Sequence, residues 1–336
     1  MSSSDAWGPV PPGVNLSENQ GGSIIGSVVA IMAISISAVV LRLFARLMKT
    51  GPGLAVDDYV VLAATVFGVG TTVCCLISVS SGGGGKHIWA VTVDEVVKLY
   101  QITYAFVIVY ITCVSTTKVS ILLFYRRMFG TSIIWLIVFG FTVAHWTEVT
   151  VGFLSGCRPA SYYWRQYTDP TAEGFCIYTA RFYFINGVLR MLIDVSILLV
   201  PIPAVYKLHM PRAQKMLVCG ILLLGSFICV ASTIRIVVMD QLVQSADFTW
   251  AMSKVFVWSC CEPFIGIVCA CLPTYAPLVR RWWSTLRDYG SGNKFGELYS
   301  SGKPSKGSKR DWSEIHGADT TLRGDDDIEL RPNVTA

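Results

Sequence analysis

Seven apolar runs constrain what this chain of 336 residues can become. They lie near residues 23–48, 59–81, 99–125, 133–156, 181–206, 214–240 and 249–278, each long enough to cross a bilayer core as a helix of ~20 residues. Together they occupy most of residues 1–280 and leave no room for a soluble catalytic domain between them. A membrane β-barrel is excluded, because its strands would be ~10 residues of strict alternation and these runs are apolar on every face. The expected architecture is an all-α membrane protein, a seven-transmembrane-helix bundle.

Charge placement divides the chain. Of 49 formal charges (27 basic, 22 acidic), 18 lie after residue 280, nine of each sign. That segment is rich in Gly, Ser, Lys and Asp and reads as a disordered tail. The expected organisation is a short N-terminal segment at 1–22, the helical domain at 23–280 and the tail at 281–336. Eleven basic residues flank one side of the spans, among them Arg42, Arg46, Arg126, Arg127, Arg280 and Arg281, against six on the other. The positive-inside bias therefore predicts an outer N-terminus and a cytoplasmic C-terminus. Asn15-Leu16-Ser17 is then an outward glycosylation sequon. The small net charge of +5 makes nucleic acid an unlikely partner; the bilayer is the expected one.

Eleven cysteines are present, and nine sit within or at the ends of spans, where they behave as small hydrophobes. No metal site is expected, since no histidine cluster accompanies them. Cys157 and Cys176 differ: both fall in the outer loop after the fourth span, on the oxidising side, where a disulfide would close the loop.

Ionisable residues inside spans cost about 2.5–3.5 kcal/mol each even on the lenient insertion scale, so each is a functional candidate. Glu148, Asp194 and Glu262 fall near mid-depth, with His145 one turn from Glu148. Arg190, Arg235 and Lys254 fall in the outer half, and Lys118 stands alone nearer the inner side. Three acids and three bases suggest a balanced cluster. Arg190 and Asp194 are four apart and can pair within one helix, or share a polar pocket with other spans. A ligand set of Arg190, Asp194, Arg235, Glu262, Trp258 and His87 is the expectation. If the chain is an enzyme, Glu262, Asp194 and Glu148 are its candidate acids and bases. No cofactor is expected. A retinal pigment needs a lysine midway along the last span, and Cys261, Glu262 and Pro263 hold that place. Gly82 to Gly85 read as a flexible loop that brings His87 over the bundle mouth.

Several short motifs in order carry a resemblance. They include Arg42-x3-Arg46 followed by Asp57-Asp58-Tyr59, Gly83-x-Gly85-x-His87, and Lys118-x-Ser120 running on to Tyr125-x-Arg127. Cys157-x-Pro159, Gly174-x-Cys176, Asp194 with Pro201-x-Pro203, Arg235, and Trp258-x3-Glu262 leading to Cys271-Leu272-Pro273 complete the set. The chain resembles the fungal rhodopsin-domain integral membrane proteins, a receptor-like seven-helix group that includes satratoxin biosynthesis cluster protein 4-like members. That resemblance implies a receptor-like membrane protein sensing a small or apolar ligand without retinal, with a cytoplasmic signalling partner at the inner loops and tail. Its alternative is a membrane-embedded isomerase or cyclase, or an accessory protein, of a fungal secondary-metabolite gene cluster. The plasma membrane suits the first reading and the endoplasmic reticulum the second. Arg190 departs from the family pattern, where a small polar residue usually stands four before the fifth-span acid.

Overall fold

The computed structural model describes residues 7–48, 53–166, 169, 171–203 and 212–291, with side chains left out at 212–219, 221, 224 and 276–291. The tail from 292 onward lies outside the described residues, as do the side chains of the Arg280-Arg281-Trp282-Trp283 segment. Seven helices are long and apolar enough to cross a membrane. They are α1 (Gly21–Leu47), α2 (Val56–Ser81), α3 (Val93–Phe129), α4 (Ile133–Ser155), α5 (Thr179–Leu199), α6 (Arg212–Gln244) and α7 (Phe248–Ser291). Each corresponds to one expected run. The chain is thus an all-α seven-helix membrane bundle.

α7 runs on to Ser291, beyond the expected limit of 278, and α3 begins at Val93, six residues before the expected run. Thr92 accepts from the Glu95 backbone N–H, and the Glu95 carboxylate accepts from the Thr92 N–H at 2.8 Å. This reciprocal cap satisfies the free donors of the first turn and starts the helix in polar sequence, which an apolar-run criterion does not register. α5 ends at Leu199: Val200 keeps a helical backbone (φ −53°, ψ −47°), but Pro201 has no N–H to continue the helix bonds.

α3 and α7 are the most buried helices, and the other five bury a third or less of their apolar windows. Large side chains such as Phe44, Val66, Phe141, Val151 and Ile185 stand exposed. An apolar exterior of this extent is the face a bilayer covers. The core runs along α3 and α7 through Phe106, Tyr110, Phe256, Phe264 and Ile267, with α1 and α2 packed on one side.

The loop after α4 is closed by a disulfide between Cys157 and Cys176. Two-residue strands β1 (Cys157–Arg158) and β2 (Phe175–Cys176) pair antiparallel with the two cysteines in register. A single helical turn between them, Tyr162–Arg165, tucks Tyr163 against Tyr104 and Phe153. The loop is therefore a fixed wall at the end of the bundle where α3, α5 and α7 begin.

The Gly82–Gly85 segment is not the freely bending loop expected from its composition. All four glycines are buried. Gly83 (φ +66°) and Gly85 (φ +90°) take a left-handed backbone, and a Cβ on Gly83 would stand 2.6 Å from Val91 Cγ1. The Gly85 carbonyl accepts from the Gln20 N–H, and the Lys86 carbonyl accepts from the Thr249 hydroxyl. Glycine is required here by close packing and positive φ.

Candidate functional site

Two polar clusters lie inside the bundle at different depths. The first joins α3, α5, α6 and α7. The Tyr110 hydroxyl on α3 donates to Glu262 Oε2 on α7 at 2.5 Å and accepts from the Arg190 guanidinium of α5. Arg190 Nη1 and Arg235 Nε each lie 3.9 Å from Glu262 Oε2. Both guanidinium groups also stack on the Tyr110 ring, at 4.9 and 4.3 Å from its centroid, the geometry in which a ring quadrupole attracts a cation. Arg235 Nε donates to the Ser259 hydroxyl at 3.1 Å.

The cluster continues toward the other end through Ser232 on α6. Its Oγ lies 3.1 Å from Asp194 Oδ2 and 3.1 Å from Glu262 Oε1. One hydroxyl proton can serve only one of these carboxylates at a time. Asp194 takes its ion pair from Lys118 Nζ at 2.9 Å. The expected pairing of Arg190 with Asp194 along one helix is absent from the ion pairs among the described residues: Arg190 turns to Tyr110 and Glu262, and Lys118 from α3 takes its place. Lys118, expected to stand alone, is part of the cluster.

Two other expected members lie elsewhere. Glu148 is 54% exposed on α4, with His145 Nδ1 3.6 Å from its Oε2. Lys254 is exposed at the start of α7. The buried set is therefore Lys118, Arg190 and Arg235 against Asp194 and Glu262, in place of three acids and three bases. Depth along a helix does not say which face turns inward.

Trp258 also lies apart from this cluster, in a shallow recess between α1 and α7 beside Gln20, Ser27 and Lys254. His87 sits at the end of the bundle where α7 begins. Its Nδ1 is 2.5 Å from Asp247 Oδ2, and its ring stacks on Trp250 at 4.1 Å. Asp247 Oδ1 accepts from the Ile88 N–H. His87 thus ties the loop after α2 to the start of α7.

A cavity of about 290 Å³ opens above the cluster. Tyr100, Phe106, Tyr163, Tyr183, Phe248 and Phe256 supply aromatic walls, and Met252, Val255 and Leu242 supply aliphatic ones. Tyr163 comes from the disulfide-closed loop. Arg235 and Ser259 line its polar side. An apolar cavity with a few convergent polar groups is the usual form of a small-molecule site. A smaller space of about 30 Å³ adjoins Asn186, Arg190 and Arg235, roughly the share of one water. Asn186 Oδ1 is buried there without a donor.

The second cluster lies at the opposite end. Arg42 on α1 pairs with Asp57 Oδ2 at 2.5 Å and Asp58 Oδ1 at 2.7 Å. Its Nη1 also donates to the Ala270 carbonyl of α7. Arg46 reaches the same two aspartates at 3.1 and 3.4 Å, and Arg127 of α3 lies 3.6 Å from Asp57. Arg42 and Asp58 are each 1% exposed. Asp58 Oδ2 further accepts from the Ala55 N–H at the head of α2. Sequence reasoning gave the arginines to topology and the aspartates to the α2 N-terminus, and missed that they bind each other. The signal was available: two arginines one turn apart end one span, and two acids begin the next.

A multi-pass α-helical bundle with a buried ionic cluster beneath an aromatic cavity is the class these features define. Residues 41–281 match the fungal rhodopsin domain model, and the chain belongs to that family. Among its relatives is the polyenoic acids biosynthesis gene cluster protein Ba17b of Metarhizium anisopliae, 24% identical over 74% of this chain and 71% of that protein. Fugralins biosynthesis cluster protein 2 of Gibberella zeae is 25% identical over 60% and 52% of the two chains. Receptor GIN3 of Arthrobotrys oligospora is 26% identical over 72% and 58%. The chain thus spans little more than half of the latter two relatives. No solved structure matches significantly.

Proposed function

We propose that this protein is a receptor-like membrane protein that takes a small apolar molecule into the aromatic cavity and transmits its presence through α7. The observation that carries this reading is the position of Arg235: it lines the cavity and belongs to the ionic cluster, so a ligand there acts on groups that join four helices. In this reading residues 23–280 form the working domain, with 1–22 outside and 281–336 in the cytoplasm as the positive-inside bias suggests. Asn15, exposed in its sequon, would then be open to glycosylation. The similarity to a protein named as a receptor supports the reading.

The similarity to two biosynthetic-cluster proteins supports a second one, in which the chain converts or handles a pathway intermediate. Its candidate acid, Glu262, is 3% exposed and bound by Tyr110, Ser232 and two arginines, and it does not line the aromatic cavity. That arrangement suits a structural counter-ion better than a proton donor to substrate.

The test uses full-length protein purified from its producing cells into nanodiscs. Native mass spectrometry is expected to find a co-purifying small molecule that is lost in Met252→Trp, which fills the cavity without touching the cluster. Equal recovery from both proteins would refute the cavity as the site. Loss of a metabolite from cells carrying Glu262→Gln, with ligand retention unchanged, would favour the enzyme.

A further inference from the structure

The ionic cluster does not balance. Lys118, Arg190 and Arg235 face Asp194 and Glu262, and Tyr110 in its ordinary neutral form adds no charge, so the buried set carries one excess positive charge. Glu148 does not supply the missing negative charge, since it faces outward on α4 with His145 beside it. Uncompensated charge inside a membrane protein is costly, and such groups pair with one another or with a ligand. The excess falls on the two arginines, each of which spends a single nitrogen on a hydrogen bond among the described residues and lies 3.9 Å from Glu262. Lys118 has Asp194 at 2.9 Å and the Arg190 carbonyl at 3.4 Å. Arg190 is 7% exposed, donates through Nη1 to Tyr110, and lines the space of about 30 Å³ but not the aromatic cavity. Arg235 spends only Nε, on Ser259. Among the described residues neither of its terminal nitrogens has a hydrogen-bond acceptor, and its side chain keeps 15% of its surface accessible where it lines the aromatic cavity.

We infer that the cavity takes an apolar carboxylic acid, bound as its monoanion, with the carboxylate on the free Nη1 and Nη2 of Arg235 and the apolar body between the aromatic walls. This rests on the cavity being the ligand site and names the ligand class. A planar guanidinium presents two parallel donors to a carboxylate, which fixes orientation as well as charge. A single negative charge neutralises the cluster, whereas the dianion of a phosphate monoester would overshoot it. The volume of about 290 Å³ equals roughly ten waters at about 30 Å³ each, the size of a compact aromatic or short-chain acid.

Cinnamate, methyl cinnamate and cinnamyl alcohol serve as probes of one shape with and without the charge. Binding to the full-length protein in nanodiscs is measured by saturation-transfer NMR, with empty nanodiscs subtracted. The expected result is that cinnamate binds at least tenfold more tightly than the ester or the alcohol. Arg235→Gln is expected to abolish that preference while the ester binds as before, and Arg235→Lys to retain part of it. Equal binding of acid and ester to the wild type would overturn the carboxylate assignment and leave the cavity as a ligand site. Binding of none of the three would overturn both. Should Arg235→Gln not fold, the wild-type comparison alone decides.

Discussion

Lys118 and Asp194 form the cross-helix pair on which the part of the ionic cluster farther from the aromatic cavity depends, so removing one charge should be far worse than removing both. The side chains are 8% and 6% exposed, and Nζ lies 2.9 Å from Oδ1. Lys118→Met leaves Asp194 as a buried acid beside Glu262, with Ser232 as its remaining donor. Breaking a buried pair on one side typically costs about 3–5 kcal/mol, whereas replacing both partners with apolar residues is often neutral. For a bundle of this size each kcal/mol moves the thermal midpoint by roughly 2–4 °C, so Lys118→Met should lower it by about 6–20 °C. The double variant Lys118→Met, Asp194→Leu should recover at least half of that loss. Because membrane proteins often unfold irreversibly, apparent midpoints are compared at one scan rate in one nanodisc preparation. Arg190→Met is the control, since Arg190 does not pair with Asp194: combining it with Asp194→Leu should give no such recovery. Additive losses for Lys118 and Asp194, or recovery only with Arg190, would refute the cross-helix pairing.

Further outcomes follow from other contacts. Replacing Cys157 and Cys176 together by Ser should destabilise the α4–α5 loop by about 3 kcal/mol on the chain-entropy account for a 19-residue separation, read as faster proteolysis between residues 158 and 175. Arg42→Met should abolish folded protein, because it strands Asp57 and Asp58 and frees the Ala270 carbonyl; adding Asp57→Asn and Asp58→Asn should restore part of the monodisperse fraction on gel filtration. Gly83→Ala should lower the thermal midpoint by several degrees, since the left-handed backbone alone costs about 1–2 kcal/mol, and Val91→Ala should relieve only the steric part of the loss.

The spans were legible because a membrane helix must be apolar over its whole length, whereas ends that run into polar sequence, such as the start of α3 and the end of α7, were not. The disulfide was legible because the expected topology put two cysteines in one loop between spans. That the buried charges need partners also followed from cost alone, but which partners did not. Tyr110 illustrates the limit: in sequence it is one more aromatic in an apolar run, while in the bundle its hydroxyl and ring hold Glu262, Arg190 and Arg235 together. Glu148 illustrates the converse, since it lies deep in an apolar span of the sequence yet is 54% exposed by the rotation of α4, while Lys254 lies about two turns before Glu262 and is exposed. Rotation is set by inter-helix packing, a property of seven segments at once.

Both ionic clusters meet on one element. Glu262 and Ala270 are eight residues apart on α7, about 12 Å along the axis at 1.5 Å per residue, and Ser259 lies one turn before Glu262 on the cavity side. Pro263 and Gly266 lie between Glu262 and Ala270, where a helix bends most readily, so displacement of Ser259 or Glu262 by a ligand on Arg235 is passed on as a change in the bend of α7. Motion of α7 along or about its axis changes the Ala270 carbonyl contact that Arg42 makes while Arg42 also holds Asp57 and Asp58. In the receptor reading this makes α7 the transmitting element and the α1–α2 ion clamp the part that responds. Tyr110 then sets the threshold, because Glu262 cannot shift without breaking its bond to the hydroxyl that also holds Arg190, on the ring that Arg235 overlies.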